Sequence, residues 1–156
     1  FRAPVIRIMP NINATVLEAM SAYCCSESVT DDQKEFVNKL CSSFGKVMPL
    51  PESYFPLFCS IAGCAPAYAY MFIDSLARSA VKNGMNKSVA LEIAAQTVLG
   101  SAKKILESDE HPWELIDKVC SPGGTTIEGI VSLQKDGFES AVCNAVDAAL
   151  QKDKKV

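Results

Sequence analysis

The chain lacks the residue clusters that several common kinds of site require. It has a single histidine, His111, in 156 residues, and its seven cysteines show no CxxC spacing. Zinc sites need clustered Cys and His ligands, and disulfide frameworks use even numbers of cysteines, so neither is indicated and no metal site is expected. The cysteines are better interpreted as reduced, mostly buried thiols of a cytoplasmic protein.

Other signals are missing as well. The formal net charge of −3 provides no basic surface, so nucleic acid is not expected as a partner. No GxGxxG or GxxxxGK[ST] motif occurs, so the chain has no glycine-rich turn for the phosphates of a nucleotide. The longest nearly uninterrupted apolar run, residues 61–73, is too short to span a bilayer, and no secretory signal is recognised. No nucleophile arrangement can be assigned, so catalytic residues stay unknown.

The first fifty residues have the pattern of a small α/β unit. Apolar runs at 4–9, 20–25 and 46–50 predict three short strands, the first of them buried, and prolines place the last at an edge. Between the second and third, Thr30 and Gln33 form a capping box that opens a helix, and Gly45 is expected to close it. Such a unit leaves a face or an edge uncovered, and a first residue other than Met agrees with a chain cut from a longer protein.

From residue 52 onward the pattern is helical. Helices are predicted over 53–60, 65–82, a segment that begins after Asn86, 112–119, 125–134 and 138–150. The first of them leads into Gly63, the second stops at Gly84, and Gly137 is a break before the last. Residues 65–73 are apolar on every side, which favours contact with a second subunit. The alternative is the central helix of a monomeric bundle.

One corner has the pattern of a ligand site. Pro122, Gly123 and Gly124 end a helix, and Thr125 with Glu128 is expected to cap the next one. Free N–H groups at a helix N-terminus, beside two hydroxyls, suit a small anion such as a carboxylate. An ordinary helix–helix corner is the alternative. His111 could act as an acid or base, but a cap or surface position is the more ordinary interpretation.

The sequence resembles pyrroline-5-carboxylate reductases over nearly its whole length. The resemblance is carried by the segments Val5-Ile6-Arg7-Ile8-Met9-Pro10-Asn11, Ser43-Phe44-Gly45-Lys46-Val47, Pro66-Ala67-Tyr68, Ala95 to Lys103, His111-Pro112 and Val119 to Gly129. The run Ser121-Pro122-Gly123-Gly124-Thr125-Thr126 is its most specific part.

This resemblance implies a fold, an activity and a set of site residues. The fold is mainly α: residues 52–156 would form a helical dimerisation and substrate-binding domain, and residues 1–51 the end of a truncated Rossmann domain. The activity would be the reduction of 1-pyrroline-5-carboxylate to proline with NADPH or NADH, in a homodimer or larger oligomer, with no membrane partner. The substrate carboxylate would be held by Ser121, Gly123, Gly124, Thr125 and Thr126, and the nicotinamide would lie near Met9, Pro10 and Asn11.

Two segments depart from the family pattern. Pro10-Asn11-Ile12-Asn13 stands where Pro-Asn-Thr-Pro is usual. The segment 62–68, Ala-Gly-Cys-Ala-Pro-Ala-Tyr, stands where Ser-Gly-Ser-Gly-Pro-Ala-Tyr is usual, which removes two hydroxyls beside the expected site. A related imine or hydroxyacid reductase and a non-catalytic dimerisation module are the alternative functions.

Overall fold

A computed structural model describes residues 3–153. They form two compact units, the first made of residues 3–68 and 145–153 and the second of residues 69–144. The division falls inside two helices, so each unit is described by itself. The domain boundary between residues 51 and 52 stays a prediction.

The first unit contains a three-stranded sheet, β1 (Ile6–Met9), β2 (Ala19–Cys25) and β3 (Gly45–Pro49), in that order. β1 pairs antiparallel with β2, and β3 pairs parallel with it. The prediction of three short strands, with the last at an edge, is confirmed. The prediction that the first strand is buried is wrong, because β1 lies at the other edge and its side chains are exposed or half-buried.

Helix α1 (Asp31–Ser42) packs on this sheet through Val37 and Cys41, which contact Tyr23. Its predicted capping box is present: Gln33 N–H donates to Thr30 Oγ1 at 3.3 Å, and Thr30 N–H donates to Gln33 Oε1 at 3.0 Å. The predicted end at Gly45 is wrong, since α1 ends at Ser42.

Gly45 instead begins β3 with φ 151°. A Cβ built there would lie 2.2 Å from the Ala19 carbonyl oxygen. Glycine is required at this position because two backbones approach closely.

Continuous helical backbone follows the sheet. A 3-10 turn (Glu52–Tyr54) leads into α2 (Phe55–Phe58), a π-helical turn (Cys59–Gly63) and α3 (Ala65–Lys82). The prediction of a separate short helix over residues 53–60 is therefore wrong, because helical backbone continues through Gly63 with a π turn. Such turns inside helices are frequent at functional sites.

The run from Glu52 to Lys82 is, by length and composition alone, long and apolar enough to cross a bilayer. The sequence prediction against a membrane considered only residues 61–73 and did not anticipate helical continuity from residue 52. This criterion is weak for one helix, because core helices of many proteins meet it.

The second unit is helical throughout its regular elements. It contains most of α3, then α4 (Lys87–Leu106), α5 (Pro112–Val119), α6 (Thr125–Lys135) and the first half of α7 (Phe138–Asp153). The predicted Asn86 cap is confirmed, since its side chain accepts a hydrogen bond from Ser88 N–H at 2.9 Å. Gly84 and Gly137 have positive φ between helices, as expected of helix stops.

Candidate functional site

The corner between α5 and α6 is a tight turn that requires both of its glycines. Gly124 N–H donates to the Ser121 carbonyl at 2.9 Å, which closes the turn. Gly123 has φ 66°, in the left-handed region that favours glycine. A Cβ on Gly124 would lie 2.3 Å from Ser121 Oγ. The turn thus brings the Ser121 hydroxyl close to the backbone at the start of α6.

Helix α6 begins one residue earlier than the capping prediction requires. Its N-cap is Gly124, with φ −80° and ψ 168°, and no side chain in the described chain caps it. Thr125 is therefore the first residue of the helix and Glu128 the fourth, so the predicted Thr125–Glu128 capping box is wrong. The first N–H groups of a helix have no hydrogen-bond partner within it, and here no side-chain cap bonds to them.

This arrangement gives the corner the chemistry of an anion site. The N–H groups of Thr125 and Thr126 point out of a helix end that carries positive partial charge. Ser121, Thr125 and Thr126 are exposed, so their hydroxyls can reach a ligand. The correction of the cap strengthens this interpretation, because the Thr125 hydroxyl is not used as a cap.

The residues just before the corner serve local structure. His111 Nδ1 accepts from Trp113 N–H at 3.2 Å, and Glu114 accepts from His111 N–H at 3.1 Å, so His111 is the N-cap of α5. The prediction that His111 is a cap is confirmed. Lys118 binds Glu110, and this hydrogen bond lowers the pKa of the Glu110 carboxyl.

The second predicted group, Met9, Pro10 and Asn11, lies in the first unit at the end of β1. The Asn11 side chain accepts from Met20 N–H at 3.2 Å and donates to the Ala62 carbonyl at 3.0 Å. Sequence reasoning missed both contacts. No local pattern indicates that the Asn11 side chain bonds to a residue fifty-one positions away. The corner of residues 121–126 belongs to the second unit, so the two predicted groups are described separately.

Arg7 forms a further contact that sequence reasoning missed. Its guanidinium pairs with Glu52 at 2.9 Å and lies 4.7 Å from the centre of the Phe55 ring. A cavity of about 660 Å³ lies beside it, also lined by Cys24, Lys34 and Pro49 among others, and none of the predicted site residues lines it. Arg7 thus ties β1 to the start of the helical run.

The cysteines are less buried than expected. Only Cys41 is buried, Cys143 is exposed and the other five are intermediate, so the prediction of mostly buried thiols is wrong within this chain. All seven are free thiols. Burial raises the pKa of Cys59, with a smaller effect from the neighbouring Cys64. Among residues 3–153, no three His, Cys, Asp or Glu side chains are grouped so as to hold a metal ion.

Comparison with protein families places these elements in a known context. Residues 52–156 match the family model for pyrroline-5-carboxylate reductase dimerisation. Over 152 residues the chain is 40% identical to the pyrroline-5-carboxylate reductases of Synechocystis sp. and Escherichia coli. These matches cover 97% of this chain but 57% and 56% of the relatives, so the chain spans little more than half of their length.

Solved structures give the same result. The 1-pyrroline-5-carboxylate reductase of Streptococcus pyogenes is 42% identical and superposes with a TM-score of 0.93, covering 98% of this chain and 59% of that one. The Plasmodium falciparum pyrroline carboxylate reductase, solved with NADP bound, is 36% identical with a TM-score of 0.92, covering 99% and 62%.

Proposed function

Because the chain belongs to the pyrroline-5-carboxylate reductase family, we propose that it forms the C-terminal part of an enzyme that reduces 1-pyrroline-5-carboxylate to L-proline. The observation that carries the proposal is the corner formed by residues 121–126, within a segment that matches the family's dimerisation region. Residues 1–51 are proposed as the end of a Rossmann domain and residues 52–156 as the dimerisation and substrate-binding domain.

The corner is proposed to hold the substrate carboxylate. Main-chain N–H groups at the start of α6, with the hydroxyls of Ser121, Thr125 and Thr126, donate to the two carboxylate oxygens. Gly123 and Gly124 let the ligand approach the backbone closely. Such a cradle orients the ring without a cationic side chain, and orientation is the main contribution that a site of this kind makes to catalysis.

The turn formed by Met9, Pro10 and Asn11 is proposed to lie near the nicotinamide of NADPH or NADH. The dinucleotide supplies the hydride that reduces the C=N bond. The turn suits this position because Pro10 is exposed and Met9 and Asn11 are half-buried, so a flat ring can contact it. The phosphates have no glycine-rich turn in this chain, and we expect the chain on its own to be catalytically silent.

A second copy of the chain is the proposed partner, in a cytoplasmic homodimer that can assemble further. The support is the family segment of residues 52–156 and the exposed apolar side chains of α3 and α4, which a second subunit would cover. Neither nucleic acid nor a membrane is proposed as a partner. Analytical ultracentrifugation at micromolar concentration tests this, and a monomer, or recovery only with lipid vesicles, would refute it.

The activity is tested by expressing the protein with the upstream residues that its relatives have. We expect oxidation of NADPH or NADH with pyrroline-5-carboxylate to exceed that with other cyclic imines or hydroxyacid substrates. A preference for another imine would support the related-reductase alternative, and no activity on any of them would support a non-catalytic dimerisation module. The chain of 156 residues alone, assayed in parallel, is expected to match the rate without protein.

The corner can be tested in this chain without turnover. Proline is titrated while the amide signals of Gly123, Gly124 and Thr126 are followed by NMR. We expect them to move with a dissociation constant of about a millimolar, or about 4 kcal/mol, since a carboxylate alone gains few contacts and Glu128 adds negative charge nearby. Movement of other signals while these stay still would show that the site has been placed wrongly.

A further inference from the structure

The side chain of Asn11 is bonded at both ends of its amide. Oδ1 accepts from Met20 N–H at 3.2 Å, and Nδ2 donates to the Ala62 carbonyl at 3.0 Å. A main-chain N–H only donates and a carbonyl only accepts, so these partners fix which end of the amide is the oxygen. The amide therefore joins the end of β1, the start of β2 and the π-helical turn Cys59–Gly63.

The Ala62 carbonyl needs an outside donor because of the residue that follows it by one helical turn. In an α-helix this carbonyl would accept from the N–H of residue 66, and residue 66 is proline. Ala62 is 9% exposed, so water has little access to it, and a buried carbonyl without a partner is costly. Asn11 supplies the hydrogen bond that Pro66 cannot.

We propose that Asn11 is a positioning residue, whose amide sets where residues 62–65 lie relative to the turn of residues 9–11. The inference rests on the proposed function, in which the turn lies near the nicotinamide, and on the family resemblance, which implies that segment 62–68 lies beside the expected site. A misplacement of about 1 Å between reacting groups can reduce the rate about 100-fold. This positioning role is compatible with the predicted contact between the turn and the cofactor, because the second N–H of Asn11 Nδ2 takes part in neither of these two hydrogen bonds.

The kinetic test compares Asn11→Asp with Asn13→Asp in the protein that carries the upstream residues. In Asn11→Asp, the ionised carboxylate can only accept hydrogen bonds and so cannot bond the Ala62 carbonyl. The protonated acid has an O–H that can donate to it. We expect kcat of Asn11→Asp to fall about 10- to 100-fold with little change in KM. The ratio of its kcat to that of the parent should rise as the pH falls and the carboxyl protonates. Asn13→Asp adds the same charge in the adjoining 3-10 helix Ile12–Val16, of which Asn11 is the N-cap, and should keep the parent's kcat and pH profile.

The outcomes separate this inference from the proposed function. A parent protein that does not reduce pyrroline-5-carboxylate contradicts the proposed function. An active parent in which Asn11→Asp behaves as Asn13→Asp does, or in which its deficit does not change with pH, overturns the positioning role.

A second measurement needs no activity and uses the chain of 156 residues. Pro66→Ala gives the Ala62 carbonyl its helical N–H donor, so the loss of Tm caused by Asn11→Ala should be smaller in the Pro66→Ala background, where only the bond to Met20 N–H is lost without replacement. Equal losses in the two backgrounds would show that Asn11 does not serve this carbonyl. If Asn11→Ala does not fold, Asn11→Ser takes its place in the same cycle, and recovery of folding by Pro66→Ala counts as support.

Discussion

The two units of the molecule bury very different side chains. In the first, Phe55 and Cys41 are completely buried, and Tyr23 and Val37 nearly so. In the second, the buried apolar cluster consists of three alanines, at 77, 90 and 94. Larger side chains on its helices face outward: Met71 is 74% exposed and Leu99 58%. The first unit thus has a core of its own. In the second unit the helices pack through small residues, and many of the large apolar side chains are exposed.

This difference bears on the two interpretations of residues 65–73. A central helix of a monomeric bundle would bury Met71 and Tyr70, and both are mostly exposed. A large apolar area on one chain is typical of a subunit interface. The first unit also exposes Phe36, at 68%, on a surface that we expect upstream residues to cover.

The largest expected effect is the loss of the aromatic core of the first unit. Phe55→Ala removes a completely buried ring and its contact with Arg7, and should lower the free energy of unfolding by about 3–5 kcal/mol. Phe36→Ala is the matched control and should change it by no more than about 0.5 kcal/mol. Chemical denaturation of both variants measures this, and similar losses would mean that the first unit has no independent core.

A charge at Phe72 is expected to disrupt the proposed homodimer. Phe72 packs against Phe138 with ring centres 5.9 Å apart and remains 36% exposed. Phe72→Asp should dissociate the dimer, at a cost of about 2–4 kcal/mol, because an unpaired charge would be buried at the interface. Phe36→Asp should leave the sedimentation coefficient unchanged. Dissociation by Phe36→Asp instead would place the interface on the first unit.

Two glycines of positive φ sharpen the comparison further. Gly45→Ala should lower the free energy of unfolding by about 2–3 kcal/mol. Its Cβ would clash with the backbone of Ala19, and alanine would be strained at the φ of this position. Gly84→Ala should cost about 1 kcal/mol, since φ is 96° but no atom lies within 4 Å of a Cβ there. Thermal unfolding ranks the two variants, and the reverse order would contradict the close approach of β2 and β3.

The smallest expected difference concerns the helix caps. Thr30→Ala removes a side-chain cap in the first unit and should cost about 1 kcal/mol. Thr125→Ala removes no cap, since α6 begins on Gly124, and should change stability by less than about 0.5 kcal/mol. A larger loss for Thr125→Ala would restore the capping box that the sequence predicted.

Features encoded in a few neighbouring residues were predicted well. The caps at Thr30, Asn86 and His111 and the helix stops at Gly84 and Gly137 all lie where the sequence placed them. Their physical cause is local, because a side chain reaches back over two or three residues or a glycine adopts a positive φ.

The errors occurred where the cause is not local or where two neighbouring residues suit the same role equally well. Gly45 has the pattern of a helix stop, but the approach of Ala19 from β2 decides its conformation. The helix predicted over residues 53–60 does not end there, because helical backbone continues through Gly63. At the corner, residues 124 and 125 are both acceptable N-caps, and the turn closed by Ser121 selects the first of them.

The sequence by itself determined the family, the mainly α fold class and the residues from which a carboxylate site can be built. Side-chain caps and glycine helix stops depend on residues that are close together in the chain, so they can be predicted without coordinates. Only the tertiary structure decided that α6 starts with an uncapped backbone and that the amide of Asn11 is used by Ala62. These depend on groups that are distant in the chain or equivalent in propensity, and only packing brings such groups together or chooses between them.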